Sequence, residues 1–254
     1  MQPVSVVIIT RNEAHLLAQT LQSVKLLSDD LLVCDTGSSD ATIPIAIKSG
    51  AMVIEEDWRG YGLTKNIANE HAVYDWILQL DADEVVDEEL LHSLLALNLK
   101  DEKQIFTMHR KNYFREKLIR FGEWWKDEPI RLFNRNQAAW NADPVHEKLV
   151  YEPDCVITKI KGSILHKTVQ STEQFKEKIR TYAIASGEKY FRQGKKGAWY
   201  KQHLSPPVSF VRNYFLKLGF LDGREGFQLA SMRAGYKRIK YKTLYRLQHP
   251  QKKK

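Results

Sequence analysis

The stretch Val4-Ser5-Val6-Val7-Ile8-Ile9-Thr10-Arg11-Asn12-Glu13 decides the fold. Its first seven residues are short, uncharged and rich in Val and Ile, the composition of a strand buried on both faces. A polar cluster follows. Then Leu16, Leu17, Leu21 and Val24 recur at helical spacing, with Asn12 placed to cap a helix starting near Glu13. The alternation repeats outward from there. Leu31-Leu32-Val33-Cys34 reads as a second strand, ending at Asp35; Thr36-Gly37-Ser38-Ser39-Asp40 reads as a loop, with Asp40 capping a helix over about 41–49. Ala51-Met52-Val53-Ile54 is a third strand, and Gly60 and Gly62 precede a helix over about 63–73. Trp76-Ile77-Leu78-Gln79-Leu80 is a fourth strand, ending at Asp81. The acidic run Asp87-Glu88-Glu89 suits the N-terminus of a helix over about 87–97. Repeated strand–helix units imply a mostly parallel sheet with right-handed crossovers.

Beyond residue 100 the pattern changes. Strands are expected over 105–109, 130–134 and 145–150, joined by loops rich in Trp, Asn and charge. From about Ser171 the chain reads as helical, over 173–192, 208–221 and 224–247, with breaks at Gly194-Lys195-Lys196-Gly197 and Ser205-Pro206-Pro207. The expected organisation is an α/β domain over 1–168, with a donor half to about 100 and an acceptor half after it. A basic, aromatic-rich helical extension over 169–254 follows.

The chain has 254 residues, 43% apolar and 28% charged, which are globular values and exclude fibrous and wholly disordered classes. No window of 18 residues is apolar and free of charge, so no spanning helix is expected. The N-terminus lacks a basic leader and cleavage site and reads as a first strand. Cys34 and Cys155 give neither a disulfide framework nor metal spacing, which points to core thiols in a reducing cytosol. The net charge of +8 is unevenly spread. Residues 1–100 carry 6 Lys and Arg against 16 Asp and Glu; residues 159–254 carry 23 against 5. An acidic front half argues against a simple nucleic-acid binder. The basic tail argues for a polyanionic partner: an anionic membrane surface, a phosphorylated acceptor or nucleic acid.

Ligands of an open parallel sheet bind outside the carboxyl ends of its strands. Three strands stop there at polar clusters: Thr10 to Glu13, Asp35 to Asp40, and Asp81-Ala82-Asp83-Glu84. The Asp81-Ala82-Asp83 pair, a D-x-D motif, fits Mg²⁺ or Mn²⁺ bridging to a diphosphate, since hard cations take one or two carboxylates plus substrate phosphates. Asp35 can accept from a pyrimidine N–H, Gly37 permits close backbone approach, and Lys65 can neutralise a phosphate. No G-x-G-x-x-G follows the first strand and no P-loop is present, so dinucleotide binding and P-loop hydrolysis lose their usual support. A nucleotidyltransferase and a non-catalytic sugar-nucleotide-like module with a membrane- or RNA-binding tail remain alternatives. The place of a nucleotidyltransferase's glycine-rich phosphate loop holds Thr10-Arg11-Asn12-Glu13, and no RNA-binding module signature is found.

These strings, with Gly62-Leu63-Thr64-Lys65-Asn66, Trp125-Lys126-Asp127-Glu128-Pro129-Ile130-Arg131, Val145-His146-Glu147 and Gly219-Phe220-Leu221-Asp222-Gly223, resemble the family 2 glycosyltransferases. More narrowly, the chain resembles the lipopolysaccharide core β-1,4-glucosyltransferase branch, over about residues 3–245. The resemblance implies a GT-A fold, a UDP-sugar donor, a divalent cation and inversion at the anomeric carbon. It implies that Thr10, Asn12, Glu13 and Asp35 hold uridine, that Asp81, with Ala82 beside it, lies near the ribose, and that Asp83 ligates the metal. Lys65 falls in the donor-binding stretch. UDP-glucose as donor and an inner-core heptose as acceptor follow from the branch alone.

Inversion in one displacement needs a carboxylate to deprotonate the acceptor hydroxyl. Asp127 is the expected base, with Glu128 as the alternative and an Asp127–Arg131 ion pair as the competing structural role. His146 is the expected further contact to metal or diphosphate. Trp124, Trp125 and Arg131 are the expected acceptor contacts. In the tail, the stretches 208–221 and 236–242 mix aromatic and aliphatic residues with cations, the pattern of interfacial helices. The expected location is therefore cytoplasmic, peripheral on the inner membrane, with a lipid-anchored, phosphorylated oligosaccharide as acceptor and no nucleic acid partner.

Overall fold

The computed structural model describes residues 1–143 and 147–249. It divides into two compact units, Met1–Lys111 with Lys126–His166, and Asn112–Trp125 with Lys167–Lys254. The first unit opens with alternating elements: β1 (Val4–Thr10), α1 (Leu17–Val24), β2 (Asp30–Asp35), α2 (Thr42–Lys48), β3 (Met52–Glu55), α3 (Tyr61–Glu70) and β4 (Trp76–Asp81). In chain order there follow β5 (Glu84–Val86), α4 (Glu88–Leu95), β6 (Gln104–Phe114), β7 (Lys117–Leu118), β8 (Ile130–Asn134), β9 (Ala138–Trp140), β10 (Leu149–Tyr151) and β11 (Val156–Val169), with β7 and the last residues of β6 and β11 counted in the second unit.

The main sheet runs β3-β2-β1-β4-β8-β6-β11-β5, with β7 paired to β6. β1 pairs in parallel with both β2 and β4, and β2 with β3. β8 is antiparallel to β4 and β6. From β1 the chain steps outward through β2 to β3, then returns to place β4 on the other side of β1. That reversal opens a crevice at the carboxyl ends of β1 and β4.

Alternate side chains of β1 serve two cores, as a strand buried on both faces requires. Val4, Val6 and Ile8 pack with Leu17, Leu21 and Val24 of α1, Ala46 of α2 and Leu90 and Leu94 of α4. Val7 and Ile9 pack with Ala68 of α3, Phe133 of β8 and Trp140 and Leu149 of the β9–β10 ribbon. Cys34 is fully buried in this second core, and burial pushes its thiol up to about 11, so it is packing rather than a nucleophile.

The strand–helix alternation expected of the first hundred residues is present, with local corrections. Asn12 caps no helix. Its φ is +56°, α1 begins only at Leu17, and the Asn12 side-chain oxygen accepts from Ser39 N–H at 2.8 Å instead. Gly62 lies inside α3 rather than before it, and must be glycine because a Cβ there would sit 1.9 Å from the Asn141 carbonyl oxygen. Sequence reading passed over β5, β7, β9 and β11. The expected strand over 145–150 is described only as β10, since residues 144–146 lie outside the described residues.

In the second unit, α5 (Thr172–Arg192) and α6 (Lys201–Val211) both pack on α7 (Gly223–Gln248). Ser186 and Tyr236 share a buried 2.6 Å hydrogen bond between α5 and α7. The proline break expected at 205–207 is absent: Pro206 and Pro207 lie within α6. They are its sixth and seventh residues of eleven, so two N–H donors are lost in the helix interior, and packing on α7 offsets the loss. After α6 come a π-helical turn, Arg212–Leu216, and a 3-10 turn, Gly219–Asp222. The Gly219-to-Gly223 string explains itself here. A Cβ on Gly219 would meet the Asn213 carbonyl oxygen at 2.6 Å, and buried Asp222 accepts from the backbone N–H of Phe121 at 2.9 Å. Among the described residues, no helix is long and apolar enough to cross a membrane.

Gly162 tests how β11 docks on α4. Its φ is +90°, and an added Cβ would fall 2.1 Å from Leu90 N. Alongside it, Ser163 N–H donates to Asp87 Oδ1 and Asp87 N–H donates to the Ser163 carbonyl. Gly162→Ala combines a left-handed backbone with overpacking and should cost at least about 2 kcal/mol in urea unfolding. A loss under about 0.5 kcal/mol would show that this contact gives way readily.

Candidate active site

The ends of β1, β2 and β4 stand side by side: Thr10 is level with Asp35, and Ile9 with Asp81. Asp35 is completely buried and its carboxylate organises the loop that follows. Oδ2 accepts from the N–H of Gly37 at 3.0 Å and of Ser38 at 2.7 Å, while the Ser38 hydroxyl donates to Oδ1. Gly37 takes φ +93°, which closes that turn. The loop is fastened to the segment after β1. Asn12 N–H donates to Ser38 Oγ at 2.8 Å, Glu13 N–H to Thr42 Oγ1 at 2.9 Å, and Ala14 N–H to Asp40 Oδ2 at 3.3 Å. Asp40 also accepts from Thr42 N–H at the start of α2, although the N-cap position itself falls on Ala41, one residue later than expected. The Thr10 hydroxyl is buried between these loops with no hydrogen-bond partner among the described residues.

Beneath the end of β4 lies a chain of ion pairs of alternating sign. Lys65 Nζ, only 2% exposed, sits 3.4 Å from Glu147 Oε1, 3.7 Å from Asp81 Oδ1 and 4.5 Å from the Trp140 ring centre. Asp81 Oδ2 accepts from Arg131 at 2.7 Å. Arg131 also donates to Glu84 Oε1, as does Arg110 at 2.9 Å. Arg110 Nε in turn donates to Asp127 Oδ2 at 2.8 Å. Glu84 is wholly buried, and its second oxygen accepts from Asp81 N–H at 3.1 Å. Burial pushes the Asp81 carboxyl up, but Arg131 and Lys65 outweigh it and hold the group well below the usual carboxylate range. The same carboxylates keep Arg131 and Arg110 charged against their own desolvation.

Asp83, two residues beyond Asp81, faces His166 of β11, with Nε2 3.2 Å from Oδ2. A carboxylate and an imidazole at a strand end suit a divalent cation whose remaining ligands come from a diphosphate. Among the described residues, no group of three or more His, Cys, Asp or Glu is placed to hold one by itself. His146 lies outside the described residues.

The first unit thus gathers Thr10, Asn12, Glu13, Asp35, Gly37, Lys65, Asp81, Ala82, Asp83, Asp127 and Arg131. Two expectations need revising. The competing role of Asp127 was a pair with Arg131, but its partner is Arg110, because Arg131 is taken by Asp81 and Glu84. Arg131, expected at an acceptor surface, is 3% exposed and props the donor-side carboxylates from below. Glu128 pairs with Lys159, whose hydrogen bond lowers its carboxyl. Trp124 and Trp125 belong to the second unit. There Trp124 packs edge-on against Phe175, and Trp125, half exposed, tilts against Phe121.

Sequence reasoning missed Glu84, Arg110, Glu147 and His166. Glu84 was legible as the residue completing Asp81-Ala82-Asp83-Glu84, and Arg110 as a charge following a strand's apolar run. His166 was not, because β11 itself went unread. Replacing Glu84 by Gln leaves one buried and one partly buried guanidinium group short of their counter-charge and should destabilise the protein by about 3–5 kcal/mol in denaturant unfolding. A change under about 1 kcal/mol would mean that the network is decoration.

Residues 5–148 match the model of the family described as glycosyl transferase family 2. An uncharacterized glycosyltransferase of Rickettsia felis is 30% identical over 243 residues, 89% of this chain and 84% of that one. The lipopolysaccharide core biosynthesis glycosyltransferase LpsC of Rhizobium meliloti is 29% identical over 247 residues, 92% of this chain and 88% of that one. Among solved structures, glucosyl-3-phosphoglycerate synthase from Mycobacterium tuberculosis, in complex with Mn²⁺, UDP and glucosyl-3-phosphoglycerate, aligns over 44% of each chain at 25% identity and a TM-score of 0.35. The family match spans more than half of the chain and takes in the ends of β1, β2 and β4. With a GT-A-type α/β sheet and these strand-end clusters, the chain belongs to glycosyl transferase family 2 and is a glycosyltransferase.

Proposed function

We propose that the protein transfers a hexose, glucose on our reading, from a UDP-sugar to an inner-core heptose of lipopolysaccharide, with inversion in a single displacement. The observation that carries this reading is the ion-pair chain from Asp81 through Arg131, Glu84 and Arg110 to Asp127. It ties the donor-side carboxylates at the end of β4 to the carboxylate chosen as base. The kinship with a protein named for lipopolysaccharide core biosynthesis supports the acceptor class.

In this mechanism Thr10, Asn12, Glu13 and Asp35 hold the uridine, the buried Thr10 hydroxyl gaining the partner it lacks within the protein. Gly37 lets the backbone come close to it. Asp81 and Ala82 lie along the ribose, and Lys65 offsets diphosphate charge. Asp83 would ligate a divalent cation, Mg²⁺ or Mn²⁺, with His146 assigned as a further protein ligand. Bound there, the cation supplies Lewis-acid neutralisation of the leaving diphosphate. His166, 3.2 Å from Asp83, orients that carboxylate. Arg110 orients Asp127 through the bond to Oδ2. Asp127 takes the proton of the acceptor hydroxyl as its oxygen bonds to the anomeric carbon and the bond from that carbon to the UDP oxygen breaks. Trp124 and Trp125 are assigned to the acceptor sugars, since aromatic faces suit the C–H side of a pyranose. The acceptor is read as lipid-anchored and phosphorylated, met at the cytoplasmic face of an anionic membrane.

Asp127→Asn tests the base. Transfer from UDP-glucose should fall by at least about 10²-fold, the low end for losing a general base, while UDP binding by calorimetry stays near wild type. Turnover that survives the substitution removes Asp127 from the role. A parallel screen of UDP-sugars by thermal shift with Mn²⁺ should single out UDP-glucose, because a ligand that binds only the folded state raises its stability.

A further inference from the structure

The second unit carries a groove that the transfer reaction does not use. Ser205, Val208, Ser209 and Arg212 of α6 and the turn after it, with Asn213 and Lys217, form one wall; Arg233 and Lys237 of α7 form part of the other. Its volume is about 250 Å³, below the usual range of about 300–1,000 Å³ for whole small-molecule sites, so it suits a headgroup better than a sugar nucleotide. Four cations line it against one carboxylate, Glu123, which pairs with Arg233. Arg233 also lies over the Tyr236 ring, 4.8 Å from its centre. This crowding of like charge is felt within the unit: burial, together with Arg233 and Lys240, pulls the Lys237 ammonium below its ordinary range. Such a cluster, with one carboxylate against four cations, is stabilised when an anion enters.

Beside the groove runs an apolar edge. Leu204, Val208, Val211 and Phe215 follow one another at helical spacing, and all are exposed; Leu216 completes the edge at 75% exposure. A pocket lined by Pro207, Val208, Val211 and Leu216 shares Arg212 and Lys217 with the groove. Large exposed apolar side chains contiguous with cations are the chemistry of a surface that enters the headgroup boundary of a bilayer.

We propose that this groove between α6 and α7 binds the phosphomonoester headgroup of a membrane lipid while the adjoining edge from Leu204 to Leu216 enters the acyl boundary. A monoester carries nearly two charges and three acceptor oxygens, which four cations match better than a singly charged diester does. The apolar edge selects a lipid over a soluble phosphate, which would leave that edge in water. The inference rests on the reading of the acceptor as lipid-anchored, which brings the chain to a membrane.

The test uses the full chain and co-sedimentation with phosphatidylcholine vesicles doped with phosphatidic acid or, at matched surface charge, phosphatidylglycerol. The wild type should bind the phosphatidic acid vesicles about tenfold more tightly, the equivalent of one good charge-assisted hydrogen bond. Arg212→Gln with Lys237→Gln should abolish that preference. Leu216→Ser with Val208→Ser should weaken binding to both vesicles alike. Far-UV circular dichroism and UDP binding, measured on every variant, should match the wild type; loss of UDP binding by the wild type would sink the transferase reading without touching the vesicle result. Equal binding to both anionic vesicles, or none to either, overturns the proposal. So does glycerol 3-phosphate binding as tightly as the vesicles, which would make the ligand soluble, or a single-stranded oligonucleotide that outcompetes them.

Discussion

A single buried carboxylate holds the catalytic unit's chemistry in place. Glu84 has no exposure, yet it carries charge, and it survives there because every lone pair that matters is taken: two guanidinium groups on one oxygen and a backbone N–H on the other. An unpaired charge in that position would be intolerable. Because Glu84 sits on β5 while Arg110 and Arg131 come from β6 and β8, satisfying it fixes three strands of the sheet relative to β4. The same contacts set the Asp81 carboxylate at the crevice and aim Asp127 by way of Arg110. Fold and site are therefore one electrostatic problem, solved once.

The topology explains why these groups can meet. The order in which the chain adds strands reverses between β1 and β4, and parallel strand ends at such a reversal are the place where crossovers leave room for a ligand. Thr10, Asp35 and Asp81 reach that place from three strands. Asp35 spends its carboxylate on shaping the loop that flanks the crevice, while the neighbouring Thr10 hydroxyl is buried and unspent among the described residues. The hydrophobic alternation of β1 between two cores makes this placement rigid, since neither face can slip without exposing Val or Ile.

Much of this was legible from residues alone. Buried strands announce themselves by Val and Ile runs, and three of them ended at the polar or acidic residues that the structure puts at the crevice. What escaped is instructive. β11 runs for 14 residues through Lys and Thr as well as Ile, so no apolar run marks it, and with it went His166. Gly62 was read as preceding its helix, yet it is a helical residue without room for a side chain, a constraint set by Asn141 nearly eighty positions later. Pro206 and Pro207 read as a break because local propensity says so; packing on α7 overrides it. The ion-pair chain is a product of tertiary proximity, and its partners lie from 16 to 82 positions apart in the sequence. Spacing rules have no purchase at that range.

The central claim is that the strand ends around β1 and β4 hold a uridine diphosphate. A crystal structure with UDP and Mn²⁺ measures this directly. The account predicts the base between Thr10 and the Asp35 loop, the ribose along Asp81, and the diphosphate with its cation at Asp83. UDP ordered anywhere else on the chain, or a crevice whose Thr10 hydroxyl gains no partner on binding, would contradict it.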